Sequence, residues 1–138
     1  MTDIHPTALI EDGAQAEIAA DAILRLWADK SFALIEDGAQ IGDNVSIGPY
    51  CVVGNDVVLG DGVRLLSHVV VAGRTTVGPN THVYPFASIG HQPQDMKYHG
   101  EPSTLEIGAN NIVRENVTMN PGTEGGGMVT RVGNNCRM

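Results

Sequence analysis

Aliphatic residues recur at every sixth position along most of this chain. The uninterrupted part of the series comprises Ile35, Ile41, Ile47, Val53, Leu59, Leu65, Val71, Val77, Val83 and Ile89. A six-residue period fits neither the 3.6-residue turn of an α-helix nor the two-residue alternation of an ordinary strand. The fifth position of each hexad is also small, and its occupants are Val45, Cys51, Val57, Val63, Val69, Thr75, Thr81 and Ala87. Two inward positions in six indicate a short strand followed by a corner.

Such hexads predict a parallel β-helix. Gly, Asn, Asp and Pro near the corners supply the backbone freedom or preset angles that a turn needs. Three hexads close one triangular coil, and successive coils stack at the spacing of neighbouring strands, about 4.8 Å. The alternative is a conventional antiparallel sheet, which requires longer alternating runs and hairpin turns. We therefore expect an all-β solenoid.

The series is interrupted twice downstream. It fails after Ile89 and resumes in phase at Ile107, and it slips by one residue within GTEGGGMVTRVG, where Val132 comes late. Both interruptions are polar. They predict protruding loops at about residues 90–106 and 120–131 on a single β-helix domain spanning residues 1–138. Irregular excursions from a regular solenoid are where function is expected.

Composition narrows the function classes. The 138 residues are 42% apolar but only 4% aromatic, and they include 17 glycines, so we expect one domain with a core of small aliphatic side chains. A net charge of −8 offers no broad attraction for nucleic acid. No apolar run is long enough to cross a bilayer, and no signal-peptide pattern is present. A cytoplasmic protein without a membrane span is the expectation.

Several local motifs carry a family resemblance. IHPTA, SHVVV, FASIGHQPQDMKYHGEPS, VREN and VTMNPGTEGGGMVTRVG together resemble the N-terminal part of the bacterial acyl-carrier-protein–UDP-N-acetylglucosamine O-acyltransferases, which open lipid A synthesis. The QDMKY loop followed by GEP and GT-x-GGG is the most specific part of the match. The resemblance implies a left-handed parallel β-helix, a homotrimer with active sites between subunits, UDP-N-acetylglucosamine and acyl carrier protein as partners, and no cofactor.

One segment departs from this resemblance. ALIEDGAQ occurs at residues 8–15 and again at 33–40, and removal of residues 16–40 leaves an uninterrupted hexad series, so 25 residues appear as an insertion. The inserted AEIAADAILRLWADKSF contains good helix formers and predicts a short α-helix over about residues 16–30. This helix would cap the open end of the solenoid, or it would present Trp27 to a partner. Because 25 is not a multiple of six, we do not expect the solenoid to continue through it.

The resemblance also implies a substrate loop. By match to the family's QDxKY motif, Gln94, Asp95 and Lys97 would meet the UDP-sugar, in a loop that reaches a neighbouring subunit's active site. A carboxylate can accept hydrogen bonds from sugar hydroxyls, and an ammonium can sit near a phosphate. The alternative is an ordinary solvated loop.

Catalytic and metal-binding residues are not assigned. The family's general base belongs to an AHxAHD-like motif that lies beyond residue 138, as does the family's C-terminal helical domain, so we expect this chain to bind acceptor without turnover. No histidine has an acidic partner at a spacing that would mark it as a general base or metal ligand, and surface or structural roles are expected for His68, His91 and His99. At Asn120 the chain departs from relatives with histidine in VTxH. Cys51 and Cys136 occupy fifth positions and are expected to be buried packing residues.

Two further functions remain open at this stage. The chain can be a non-catalytic or engineered trimeric β-helix scaffold that displays the inserted helix, in which case UDP-sugar binding is absent and trimerisation intact. A hexapeptide acetyltransferase acting on another small molecule would require a base that the sequence does not reveal.

Overall fold

The computed structural model describes residues 33–138 and the backbone of four short strands nearer the N-terminus. These four strands are β1 (Asp3–Ile4), β2 (Leu9–Ile10), β3 (Glu17–Ile18) and β4 (Ile23–Leu24). All strand pairs among the described residues are parallel, and the strands form three six-stranded sheets. No helix in this part of the chain is long and apolar enough to cross a membrane.

The three sheets are the faces of a triangular solenoid. The first face contains β4, β1, β7 (Ser46–Ile47), β10 (Arg64–Leu65), β13 (His82–Val83) and β16 (Ile112–Val113). The second contains β2, β5 (Leu34–Ile35), β8 (Val52–Val53), β11 (Val70–Val71), β14 (Ser88–Ile89) and β17 (Thr118–Met119). The third contains β3, β6 (Gln40–Ile41), β9 (Val58–Leu59), β12 (Thr75–Val77), β15 (Thr104–Ile107) and β18 (Val129–Val132). Consecutive strands of a face are eighteen residues apart through the regular coils, which confirms the predicted three-hexad coil.

The core fills the inside of the triangle. The aliphatic residues that open each hexad from Ile35 to Ile89 are at most 3% exposed, and so are the fifth-position residues from Val45 to Ala87. Both predicted inward positions are therefore confirmed. The buried hydroxyls of Thr75 and Thr81 donate to the carbonyls of Ala72 and Gly108, at 2.7 and 3.1 Å. A polar atom in this apolar interior would otherwise lose its solvation without compensation.

One corner of the solenoid carries stacked aromatic rings. Tyr50, His68 and Phe86 follow the first face in three successive coils, with ring centroids 4.8 and 5.1 Å apart. We call them the aromatic ladder. All three have positive φ, between 59° and 66°, a conformation that is unfavourable for bulky side chains. Tyr50 and Phe86 are 51% and 59% exposed.

Two loops leave the solenoid from another corner. The first loop (residues 90–103) connects β14 to β15, and the second loop (residues 120–128) connects β17 to β18. Both therefore run from the second face to the third, in adjacent coils. Val77 pairs with Ile107, thirty residues on, which preserves the hexad phase. Ile107 pairs with Val132, twenty-five residues on, which explains the one-residue slip.

The predicted helix over residues 16–30 is not shown. Within that range the described residues are the strands β3 and β4, which pair with β6 and β1, and the remainder, including Trp27, lies outside the described residues. The expectation that the solenoid would not continue into the insertion is wrong for these strands. Helix propensity is a weak preference, and the open end of a sheet offers unpaired backbone groups that a short strand satisfies. Ile18 and Leu24 are six residues apart, a signal that the helical interpretation overlooked.

Close stacking of the coils predicts that Gly78→Ala is destabilising. A Cβ built on Gly78 lies 2.6 Å from the carbonyl oxygen of Gly108 in the next coil, whereas one built on Gly125 meets no atom within 4 Å. We expect Gly78→Ala to lower the free energy of unfolding by about 1–3 kcal/mol, measured by denaturant titration. Gly125→Ala is the matched control. Equal stability of the two variants would contradict this account of coil packing.

Candidate functional site

A cleft of about 350 Å³ lies between the two loops. Asp95, Lys97 and Glu101 line it from the first loop; Thr123, Glu124 and Gly125 line it from the second. The structure therefore brings Asp95 and Lys97 together at one cleft. Gln94 is exposed in the same loop, but it is not among the residues that line the cleft.

The first loop is organised by a turn around Asp95. The backbone N–H of Lys97 donates to Oδ1 of Asp95 at 2.9 Å, and the N–H of Tyr98 donates to the Asp95 carbonyl at 3.0 Å. Aspartate commonly forms such local bonds with the backbone two residues on. Met96, at the tip of this turn, is 99% exposed. The turn fixes the backbone on both sides of Met96, so Asp95 and Lys97 are held on the cleft side of the loop.

Glu101 braces the returning arm of the same loop. Its Oε2 accepts a hydrogen bond from the backbone N–H of His99 at 2.6 Å, and its carbonyl accepts one from the Tyr98 hydroxyl at 3.2 Å. Hydrogen bonding by the backbone N–H groups of Glu101 itself and of His99 holds the pKa of the Glu101 carboxyl below its ordinary value. The backbone of Glu124, in the second loop, acts in the same direction. The ionised carboxylate thus stabilises the returning arm of the first loop.

The second loop closes on itself through its glycines. A 3-10 helix spans Glu124–Gly126, and Gly127 ends it with φ of 85°. The backbone N–H of Met128 donates to the carbonyl of Thr123 at 2.9 Å, which returns the chain to the sheet. A left-handed residue at this point favours glycine. The glycines therefore shape a compact turn.

The bases of the loops are joined to each other. Nδ2 of Asn120 donates to the carbonyls of His91 and Gln92, at 2.8 and 3.2 Å. The backbone N–H of Thr104 donates to the Met128 carbonyl at 2.9 Å. The two loops are thus hydrogen-bonded to each other where they leave and where they rejoin the solenoid.

The charges of the cleft suit a polyhydroxylated ligand that also carries an anionic group. Three carboxylates, those of Asp95, Glu101 and Glu124, line it together with the single ammonium of Lys97. Carboxylate oxygens accept hydrogen bonds from hydroxyl groups, and an ammonium donates to phosphate oxygens. A bare anion would meet an excess of negative charge. The described residues contain no group of three or more His, Cys, Asp or Glu that could hold a metal ion.

The histidines and cysteines lie away from a common centre. His68 is stacked within the aromatic ladder, and His91 and His99 are exposed in the first loop. Cys51 is buried as predicted; its Sγ donates to the Leu66 carbonyl at 2.6 Å, and burial raises the pKa of the thiol to about 11. A thiol so protonated at neutral pH is a poor nucleophile. The prediction for Cys136 is wrong, because this residue is only partly buried.

Sequence reasoning identified one wall of the cleft and missed the other. Glu101 was visible within the GEP motif, but neither it nor Glu124 was assigned to the site. Asn120 was noted only as a departure from relatives that carry histidine. Their placement follows from both loops leaving the same corner in adjacent coils, which requires the strand pairing rather than the motif alone.

Comparison with known proteins identifies a consistent set of relatives. Residues 38–73 match the family model described as bacterial transferase hexapeptide (six repeats). The acyl-[acyl-carrier-protein]–UDP-N-acetylglucosamine O-acyltransferase of Rickettsia canadensis (strain McKiel) is 57% identical over 103 residues, which are 75% of this chain and 39% of the relative. The enzyme of the same name from Azorhizobium caulinodans is 56% identical over 106 residues, covering 77% and 39%.

A solved structure supports the same relationship. A crystal structure of UDP-N-acetylglucosamine acyltransferase superposes with a TM-score of 0.73 at 48% identity and covers 76% of this chain and 40% of that one. The fold class is therefore the left-handed parallel β-helix expected from the sequence. The chain spans about two fifths of the length of the relatives it matches, in their N-terminal part.

Ionisation of Glu101 should order the first loop down to low pH. The pKa of Glu101 is lowered in the folded protein, so its ionised carboxylate stabilises the first loop fully above the ordinary pKa of 4.5. This stabilisation is lost as the pH falls through the lowered pKa of the folded state. We expect the His99 amide resonance to titrate with a midpoint below 4.5 in an NMR pH series. Glu101→Gln should abolish this titration. A wild-type midpoint at or above 4.5 would contradict the assigned hydrogen bonds.

Proposed function

Because this chain belongs, by sequence and fold, with the N-terminal part of the acyl-carrier-protein–UDP-N-acetylglucosamine O-acyltransferases, we propose that the cleft binds the UDP-N-acetylglucosamine acceptor. In the proposed reaction a hydroxyacyl group moves from the thioester of acyl carrier protein to the 3-hydroxyl of the sugar, a step of lipid A synthesis. The observation that carries this proposal is the placement of Asp95 and Lys97 at one cleft, opposite the glycine-rich second loop.

Each residue has a distinct proposed role. Lys97 supplies the positive charge that the diphosphate needs, and it is the only cation that lines the cleft. Asp95 accepts hydrogen bonds from the sugar. Its Oδ1 already accepts the Lys97 N–H, so Oδ2 is the oxygen that serves the ligand. Gln94 offers both an amide donor and an acceptor from the exposed side of the loop. These groups bind and orient the acceptor.

Acyl transfer also requires a general base for the acceptor hydroxyl and a donor for the oxyanion. We assign no base among the described residues, since none of their histidines shares the cleft with Asp95 and Lys97. The proposal for these residues is therefore acceptor binding. Acyl transfer and recognition of acyl carrier protein are proposed for the protein to which such a segment belongs.

We propose further that three copies associate and that the aromatic ladder lies at their interface. Of the four large hydrophobic residues exposed among the described residues, Tyr50, Leu66 and Phe86 are at or beside this one corner. Leu66 also lines a groove of about 500 Å³ together with Arg64. Exposed Tyr and Arg beside apolar side chains are the composition of interface hot spots. The single arginine of this groove also offers a positive charge to a second copy of a chain whose net charge is −8.

The acceptor-binding role predicts a loss of affinity in Lys97→Ala. We expect wild-type protein to bind UDP-N-acetylglucosamine in NMR titrations, and Lys97→Ala to raise the Kd at least about tenfold, the worth of one charged hydrogen bond. Asp95→Asn should weaken binding of the sugar nucleotide more than binding of UDP. Arg131→Ala, which removes an exposed cation on the third face away from the cleft, is the control. Absence of binding in intact, trimeric wild-type protein would favour the scaffold function instead.

The interface assignment predicts that Phe86→Ser dissociates the assembly. Sedimentation equilibrium of wild-type protein should give the mass of three chains, and the variant should give a lower mass at equal concentration. Arg131→Ala removes an exposed side chain on the third face, away from this corner, and should leave the mass unchanged. A monomeric wild type, or a trimeric Phe86→Ser, would refute the assignment.

A further inference from the structure

Asn120 contacts the first loop although it belongs to the second. It follows β17 directly, and β17 is the neighbour of β14, from which the first loop departs. The backbone N–H of Gly90 still donates to the Met119 carbonyl at 2.8 Å, which is the last rung between these strands. Beyond this backbone hydrogen bond, the side-chain amide of Asn120 donates hydrogen bonds to the carbonyls of His91 and Gln92.

The physical consequence is control over the direction of the first loop. Gly90 has φ of 86° and turns the chain away from the sheet, so the carbonyls that follow lose their strand partners. A planar amide with two hydrogens can bond two successive carbonyls at once, which fixes their orientation as well as their position. Only one residue, Pro93, then separates the bonded pair from Gln94, and the turn around Asp95 begins directly afterwards.

We propose that Asn120 is a positioning residue that sets the placement of Asp95 and Lys97 in the cleft, an inference that rests on the proposed function. Asn120 does not itself line the cleft, so it acts through the first loop and not by touching the ligand. Asn120 is also the first residue of the second loop. Its side chain therefore connects the start of both loops at the point where β14 and β17 end. The separation of Lys97 from Glu124 therefore depends on one amide side chain.

The test compares Asn120→Ala and Asn120→Asp with Asn120→His. An ionised Asp matches the shape of Asn but presents only acceptors to the two carbonyls. Asn120→Asp and Asn120→Ala should therefore each raise the Kd for UDP-N-acetylglucosamine about tenfold, as expected for one lost hydrogen-bonded contact. A neutral imidazole retains one N–H donor and should recover part of the affinity. The midpoint of global denaturation should stay near that of wild type, because Asn120 lies outside the buried core. A merely structural role would move stability and affinity together.

A double-mutant comparison separates positioning from independent binding. If Asn120 acts by placing Asp95 and Lys97, the double variant Asn120→Ala/Lys97→Ala should lose less affinity than the sum of the losses in the two single variants. Additive losses, or wild-type affinity in Asn120→Ala, would overturn the inference.

Failure of the proposed function is distinguishable from failure of this inference. If wild-type protein does not bind the sugar nucleotide, the amide shifts and hydrogen exchange of residues 93–99 are compared between wild type and Asn120→Ala without ligand. Changes confined to this loop and the second loop support positioning by Asn120. Unchanged amides overturn it.

Discussion

The parallel backbone hydrogen bonds between successive coils are the interaction on which everything else in this structure depends. The N–H of Gly48 donates to the Leu65 carbonyl and the N–H of Leu66 to the Val83 carbonyl, each at 2.9 Å, and the pattern repeats around the three faces. These bonds fix each coil directly above the previous one. Side chains at equivalent hexad positions therefore stack, which produces both the aliphatic core and the aromatic ladder.

The same stacking of coils brings loops that are distant in sequence together at one cleft. Thr123 follows Asp95 by more than a full coil in sequence, yet the two line one cleft because their loops leave the same corner in adjacent coils. The first loop returns to the sheet in phase, and the second returns one residue late, as the register of β15 with β18 shows. Neither loop disturbs the pairing beneath it, so the solenoid serves as a rigid base while the cleft is built outside it.

The regular part of the fold could be predicted from the sequence because its signal is local and repeated. Val45, Cys51 and Ile47 reveal their burial by hexad position alone. The site could be predicted only in part, since the motif around Asp95 and Lys97 is contiguous, whereas Glu124 and Asn120 reach them through pairing between coils. The helix predicted over residues 16–30 is not shown, and the described residues in that range, β3 and β4, are strands. At these residues local helix propensity competed with the unpaired edge of a sheet, which a short strand satisfies.

The two copies of the duplicated octapeptide lie next to each other in one sheet. The strand of its first copy pairs with the strand of its second copy residue for residue, Leu9 with Leu34 and Ile10 with Ile35. In a parallel stack, each strand is related to its neighbour by a shift along the axis of the stack. A strand can therefore pair in register with an identical copy of itself. Identical sequence is therefore compatible with parallel pairing between neighbouring strands of one face, because each copy offers its partner the same backbone hydrogen-bonding pattern. A tandem duplication in such a fold can thus extend a sheet at its edge.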